Sequence, residues 1–233
     1  MTDMDTFVRR PAPSRTRPLL GLTVLAVEDS RFASEALRLM CLRSGARIRR
    51  ADSLRAAARH LQVYRPSVVI VDAGLPDGSG LGLIADLAAA RPRIGVVLGM
   101  SGDPGLEGAA RAAGADGFLA KPMVELGRFQ QEVLRHRPPG HDPIGPYPLS
   151  DERITPDPTA YRDDLAHIRD LLGDAPEAVT LAYAAQFLTG VSRAAGDGPL
   201  ARAAEGLSGH GAEAALPHVL ALIDARLAHR AAI

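Results

Sequence analysis

The sequence predicts an α/β fold: a doubly wound five-stranded parallel sheet followed by a small all-helical region. Three observations carry this. Short runs at 22–27 (LTVLAV), 67–71 (SVVIV) and 94–100 (IGVVLGM) are apolar throughout and lack period-two alternation, which suits strands buried on both faces. Amphipathic stretches separate them, so strand and helix alternate five times over about 115 residues, the pattern of parallel strands joined by right-handed crossovers. After residue 158 the strand signal stops and only helical texture remains.

The elements follow in order. Residues 1–20, polar and rich in Pro and Arg, read as a flexible tail. A strand at 22–27 runs into Glu28-Asp29, and a helix at 31–44 stops at Gly45. A weaker strand covers 46–50, and Ser53 can cap a helix running to about residue 64. The strand at 67–71 ends at Asp72, residues 74–80 form a loop, and 81–90 is helical. The strand at 94–100 ends at Ser101, and a helix at 104–113 stops at Gly114. A short strand at 117–120 ends at Lys121, and a helix at 124–135 closes this part.

Residues 137–158, rich in Pro, Gly and Asp, read as a linker. Helices are expected at 159–172, 175–192 with Pro176 at its first position, 200–207, and 212–228 interrupted early by Pro217. The division is therefore a tail (1–20), an α/β domain (21–136), a linker (137–158) and a helical domain (159–233).

Composition excludes several classes. The chain of 233 residues has 27 basic and 27 acidic side chains, which argues against a wholesale electrostatic nucleic-acid binder. A single cysteine, Cys41, excludes an intramolecular disulfide framework and a cysteine-based zinc site; it sits in an apolar helix face as inert packing. No apolar run approaches the roughly 18 residues that span a bilayer, and the N-terminus does not read as a secretory signal, so a cytoplasmic location without membrane contact is the expectation. Of the 27 basic residues 26 are arginine, and the one lysine is Lys121.

In an open parallel sheet, ligands bind outside the carboxyl ends of the strands. Glu28, Asp29, Asp72, Ser101 and Lys121 all follow such ends. Three carboxylates at one mouth repel each other and need a cation, and hard oxygen ligands suit Mg²⁺. A lysine ammonium adds a mobile point charge for a phosphoryl oxygen, and a serine hydroxyl one more donor. Together they describe aspartyl phosphorylation. Taken singly, each residue fits a helix cap or a loop. His60, His136 and His141 have no partners at ligand spacing.

These motifs resemble the receiver domain of two-component response regulators, with a flavodoxin-like fold, over about residues 21–136. The resemblance rests on Glu28-Asp29 in VLAVEDSR, Asp72 in VVIVDAGLPDGSG, Ser101 in VVLGMSGD and Lys121-Pro122 in GADGFLAKP. It implies a bacterial phosphoprotein in which Asp72 accepts a phosphoryl group from a histidine kinase or histidine-phosphotransfer protein. Glu28, Asp29, Asp72 and the Gly74 carbonyl would hold Mg²⁺, while Lys121 and Ser101 would bind the phosphoryl oxygens. Phe118 takes the family's aromatic switch position, although a Phe beside a strand is as readily core. The protein would not be an enzyme beyond its own phosphorylation.

The helical half is less determinate. It lacks an Arg-rich recognition helix and carries acids among its arginines, so protein contact or homodimerisation is expected, with a DNA-binding transcription regulator carrying an unrecognised helix-turn-helix as the alternative. Packing onto the α/β domain is a third reading. Glu205-Gly-Leu-Ser-Gly209 faintly resembles the His-x-Leu-Lys-Gly motif of histidine-phosphotransfer bundles, with His210 and His218 nearby.

Overall fold

The computed structural model describes residues 12–137, 150–173, 176–209 and 211–228. His141 and His210 lie outside the described residues. The sheet is formed by β1 (Thr23–Val27), β2 (Arg47–Ala51), β3 (Val68–Asp72), β6 (Val96–Ser101) and β7 (Gly117–Ala120), all parallel, in the order β2-β1-β3-β6-β7. Between β3 and β6 a two-residue hairpin, β4 (Gly74–Leu75) with β5 (Gly78–Ser79), replaces the simple loop that the sequence predicts.

Every residue of β3 and β6 is buried, which is why their sequences show no alternation. The edge strand β2 exposes Arg47, Arg49 and Arg50, and this charge discourages pairing with another chain. The helices are α1 (Arg31–Ser44), α2 (Leu54–Val63), α3 (Gly80–Ala89), α4 (Glu107–Ala112) and α5 (Leu126–Arg135). Side chains of Ser30, Ser53 and Ser79 cap the first three by accepting backbone N–H bonds from Ala33, Ala56 and Leu81. Gly45 ends α1 in the left-handed conformation at φ 85°. The helix expected at 104–113 divides into a tight 3₁₀ turn at Pro104–Leu106 followed by α4. Cys41 is fully buried, and burial pushes its thiol up to about 12.

Two segments read as tail and linker are partly anchored. Leu19 is fully buried in the core with Met40 and Val24, and its N–H bonds to the Ser44 carbonyl at 2.9 Å. Beyond residue 149, Arg153 bridges to Glu125, the N–H of Ile154 reaches the Val124 carbonyl at 2.8 Å, and the Ile154 side chain enters the α/β core. Composition alone could not reveal these contacts, because each depends on one apolar residue within a polar stretch.

The helical half contains α6 (Pro158–Leu172), α7 (Ala178–Ala194), α8 (Gly198–Glu205) and α9 (Ala212–Ala228). Leu165, Ile168, Leu172, Leu188, Val219 and Ile223 are fully buried at its centre. α9 runs through Pro217 without interruption; the proline forfeits a backbone donor near the helix start. Asp197 ties three helices together. It accepts from Tyr161 Oη at 2.9 Å, from Arg226 Nη2 at 2.6 Å and, as a cap, from the N–H of Leu200.

The bundle rests on α1. Phe32, in the first turn of α1, turns away from the sheet and joins the bundle core, edge-on to Tyr161 at 5.8 Å between ring centroids. Asp164 of α6 accepts hydrogen bonds from Ser30 Oγ at 2.7 Å and from the N–H groups of Arg31 and Phe32 at 2.7 and 3.0 Å. The first turn of α1 has no acid of its own, so Asp164 supplies the negative charge that a helix N-terminus favours.

Candidate functional site

The parallel register sets the ends of β1, β3, β6 and β7 side by side, and each end delivers one part of the site. β1 leads into Glu28 and Asp29, β3 finishes on Asp72, β6 finishes on Ser101, and Lys121 follows β7. Glu28, Asp72 and Ser101 are buried, with exposures of 0%, 5% and 2%. One carboxylate oxygen from each of Glu28, Asp29 and Asp72 lies within 4.8 Å of the others. Lys121 Nζ lies 2.7 Å from Glu28 Oε2 and 3.0 Å from Asp72 Oδ1, and its bond to Pro122 is cis.

Burial dominates the electrostatics. It pushes the Glu28 and Asp72 carboxyls each up to about 7, against the pull of the Lys121 ammonium. Asp29 is raised as well, chiefly by burial. Burial also works against the Lys121 charge, but the carboxylates of Glu28 and Asp72 outweigh it and hold the ammonium well above its usual range. The site therefore holds more acid than one lysine neutralises, a donor set that fits a hard divalent cation on its oxygens.

Glu28, Asp29, Asp72, Gly74, Ser101 and Lys121 converge on one cavity of about 470 Å³. The Gly74 backbone N–H draws the raised Asp72 carboxyl back down, a smaller effect than its burial. Ser101 Oγ accepts the N–H of Asp103 at 3.1 Å. Phe118 lies outside this cavity, half-buried beside Gly99 on the neighbouring strand, and lines a separate depression with Met123 and Arg128.

The matched segment, residues 24–133, fits the response regulator receiver domain family. It is a response regulator receiver domain. The receiver is 34% identical over 110 residues to the KDP operon transcriptional regulatory protein KdpE of Escherichia coli, covering 47% of this chain and 48% of that one. It is 29% identical over 122 residues to the virulence transcriptional regulatory protein PhoP of Salmonella typhimurium, covering 51% and 54%. The chain thus spans about half the length of the curated relatives it matches. Among solved structures it is similar to a signal receiver domain of a histidine kinase from Syntrophus aciditrophicus, at 27% identity and a TM-score of 0.45 over 50% of this chain and 89% of that one.

Three side chains that sequence reasoning did not connect with the receiver complete the cavity region. Tyr183 of α7 donates to Asp29 Oδ2 at 2.5 Å. Burial, and then the Asp29 charge, lift the Tyr183 phenol well above its ordinary range, so it remains a donor. Gln186 fills the space a Gly74 side chain would need. Asp164 secures the first turn of α1 beside them. Tyr183 and Asp164 act on residues more than 130 positions away in the chain, so no local signal could have found them. The Glu205–Gly209 segment spans the end of α8 and a turn, which is not the stable helix face that phosphohistidine chemistry requires.

Proposed function

We propose that the chain is a phosphorylatable response regulator in which Asp72 accepts a phosphoryl group from a histidine kinase or histidine-phosphotransfer protein. The observation that carries this reading is Lys121 Nζ held 3.0 Å from Asp72 Oδ1 beside two further carboxylates. Glu28, Asp29, Asp72 and the Gly74 carbonyl would hold Mg²⁺, which when bound offsets the negative charge gathered around the transferring group.

The chain's own residues do the rest. Ionised Asp72 attacks phosphorus as the donor's P–N bond breaks. The electron pair returns to the imidazole nitrogen, which takes a proton from solvent. Lys121 pairs with a phosphoryl oxygen, and the Ser101 hydroxyl turns to bond another. Phe118 then moves into the room that Ser101 vacates, altering the surface near β7. The chain catalyses nothing beyond its own modification and works in the cytoplasm.

The helical half serves protein contact in this reading, homodimerisation included. A second reading, a transcription regulator that binds DNA, is favoured by the similarity to KdpE and PhoP, which are transcriptional regulatory proteins. Incubation with acetyl phosphate and Mg²⁺ should give a base-labile label on the wild type and none on Asp72→Asn; label on that variant would sink the reading. A phosphorylation-dependent mobility shift with genomic DNA would favour the second.

A further inference from the structure

The face of α7 that meets the receiver is built from Tyr183, Gln186, Phe187 and Gly190, spaced as one side of a helix. This face spans the cavity mouth. At one end the Gln186 carboxamide presses on Gly74, two residues beyond Asp72. At the other end Gly190 Cα lies 3.8 Å from where a Gly102 side chain would begin, next to Ser101. Three anchors hold α6 and α7 there: Tyr183 on Asp29, Asp164 on the start of α1, and Arg31 Nη1 on Asp163 at 2.8 Å. Asp72 is left 5% exposed.

Phosphoryl transfer needs the donor nitrogen in line with phosphorus and an Asp72 oxygen. The N–P bond breaks as the O–P bond forms, the electron pair stays on the imidazole, and a solvent proton completes it. A helix-borne histidine can satisfy that line only by laying its helix across this mouth. Gln186-Phe-Leu-Thr-Gly190 keeps the spacing of His-x-Leu-Lys-Gly on a long helix, with Gln for His and Thr for Lys. A carboxamide offers polar contact there but no nitrogen lone pair able to carry phosphorus.

We propose that the helical half is a gate built into this chain: α7 holds Gln186 where the ring of a helix-borne phosphohistidine has to stand, so transfer to Asp72 requires α6 and α7 to lift from α1. This rests on Asp72 being the phosphoryl acceptor. The partner admitted by opening is a helical phosphohistidine donor, and the gate competes with it for the same mouth.

The test uses the full chain carrying Gly102→Cys and Gly190→Cys, chosen because Gly190 Cα lies 3.8 Å from the Cβ position of residue 102, with Cys41 left in its buried place. Two probes are used with Mg²⁺: acetyl phosphate, and a histidine-phosphotransfer protein charged with phosphoramidate. The charged protein should label the oxidised chain at least tenfold more slowly than the reduced chain, and reductant should restore the rate. It should label Asp164→Ala, which lacks the main anchor, faster than wild type. Equal labelling of oxidised and reduced chains overturns the gate, as does failure of the charged protein to label Asp164→Ala. Should the cysteine pair fail to fold, Asp164→Ala against wild type decides alone, and an unchanged rate overturns the gate. Acetyl phosphate separates the two ideas: absence of label on the reduced chain and on wild type sinks the Asp72 reading itself.

Discussion

Asp164 accepts the backbone N–H of Phe32 at 3.0 Å across 132 residues of chain, so a side chain of the helical half caps a helix of the receiver. Together with the bonds from Ser30 and Arg31 it forms a charge-assisted cluster on a buried carboxylate. Asp164→Ala is expected to weaken docking by about 3 kcal/mol, given roughly 1.5–3 kcal/mol per charged hydrogen bond and incomplete additivity. Hydrogen exchange checks this: the amides of Arg31 and Phe32 should exchange much faster while those of β3 keep their protection.

Lys121 is the counter-charge for two buried acids. Lys121→Met should destabilise the chain by about 3 kcal/mol near pH 8, the usual cost of stranding a buried charge. The sign of the pH effect follows from the raised carboxyls. Glu28 and Asp72 stand near 7 against ordinary values of 4.5 and 3.8, so their contribution is full below those ordinary values and is lost as pH rises through 7. The variant should therefore recover much of its deficit at pH 5. Urea unfolding at the two pH values measures it, and a deficit independent of pH would contradict the assignment.

Asp197 has the opposite sign. Its hydrogen bond to Arg226 holds the carboxyl below the ordinary 3.8, so its contribution is present above that value and is lost as pH falls through the lowered one. Asp197→Asn should cost about 1–2 kcal/mol at neutral pH and nearly nothing in strong acid. Thermal unfolding followed at α6 to α9 would register the loss; an equal cost at both extremes would speak against it.

Gly80 touches the backbone that carries Asp72. A Cβ on Gly80 would come within 1.8 Å of the Asp72 carbonyl oxygen, which cannot yield as a flexible side chain could. Gly80→Ala should cost about 3 kcal/mol, at the upper end of overpacking, and should displace the end of β3. Gly82→Ala, also in α3 but where a Cβ meets open space, serves as the control in the same melting experiment and should cost nothing or stabilise slightly.

The receiver and its acidic mouth were legible because their signals are local. Each of Glu28, Asp72, Ser101 and Lys121 follows an apolar run, and parallel topology alone brings such ends together. The relation between the halves was not legible for the opposite reason. Phe32 lies on a receiver helix yet fills the bundle, and Asp163-Asp164 lie on a bundle helix yet bind the start of α1. Their partners stand more than 120 residues away, beyond the reach of periodicity. Leu19 and Ile154 escaped notice in the same manner, as lone apolar residues in polar surroundings that dock on the receiver core.

The docking of Ile154 has a consequence for motion. Only residues 155–157 separate it from the first residue of α6, a reach of roughly 14 Å at most when extended. While that anchor holds, the bundle can swing but cannot depart. Its local concentration at the receiver is then on the order of millimolar or above, the regime of short tethers. Any outside helix bidding for the same mouth faces a neighbour that is always present, and tight binding alone would have to overcome that advantage before the first phosphoryl group could move.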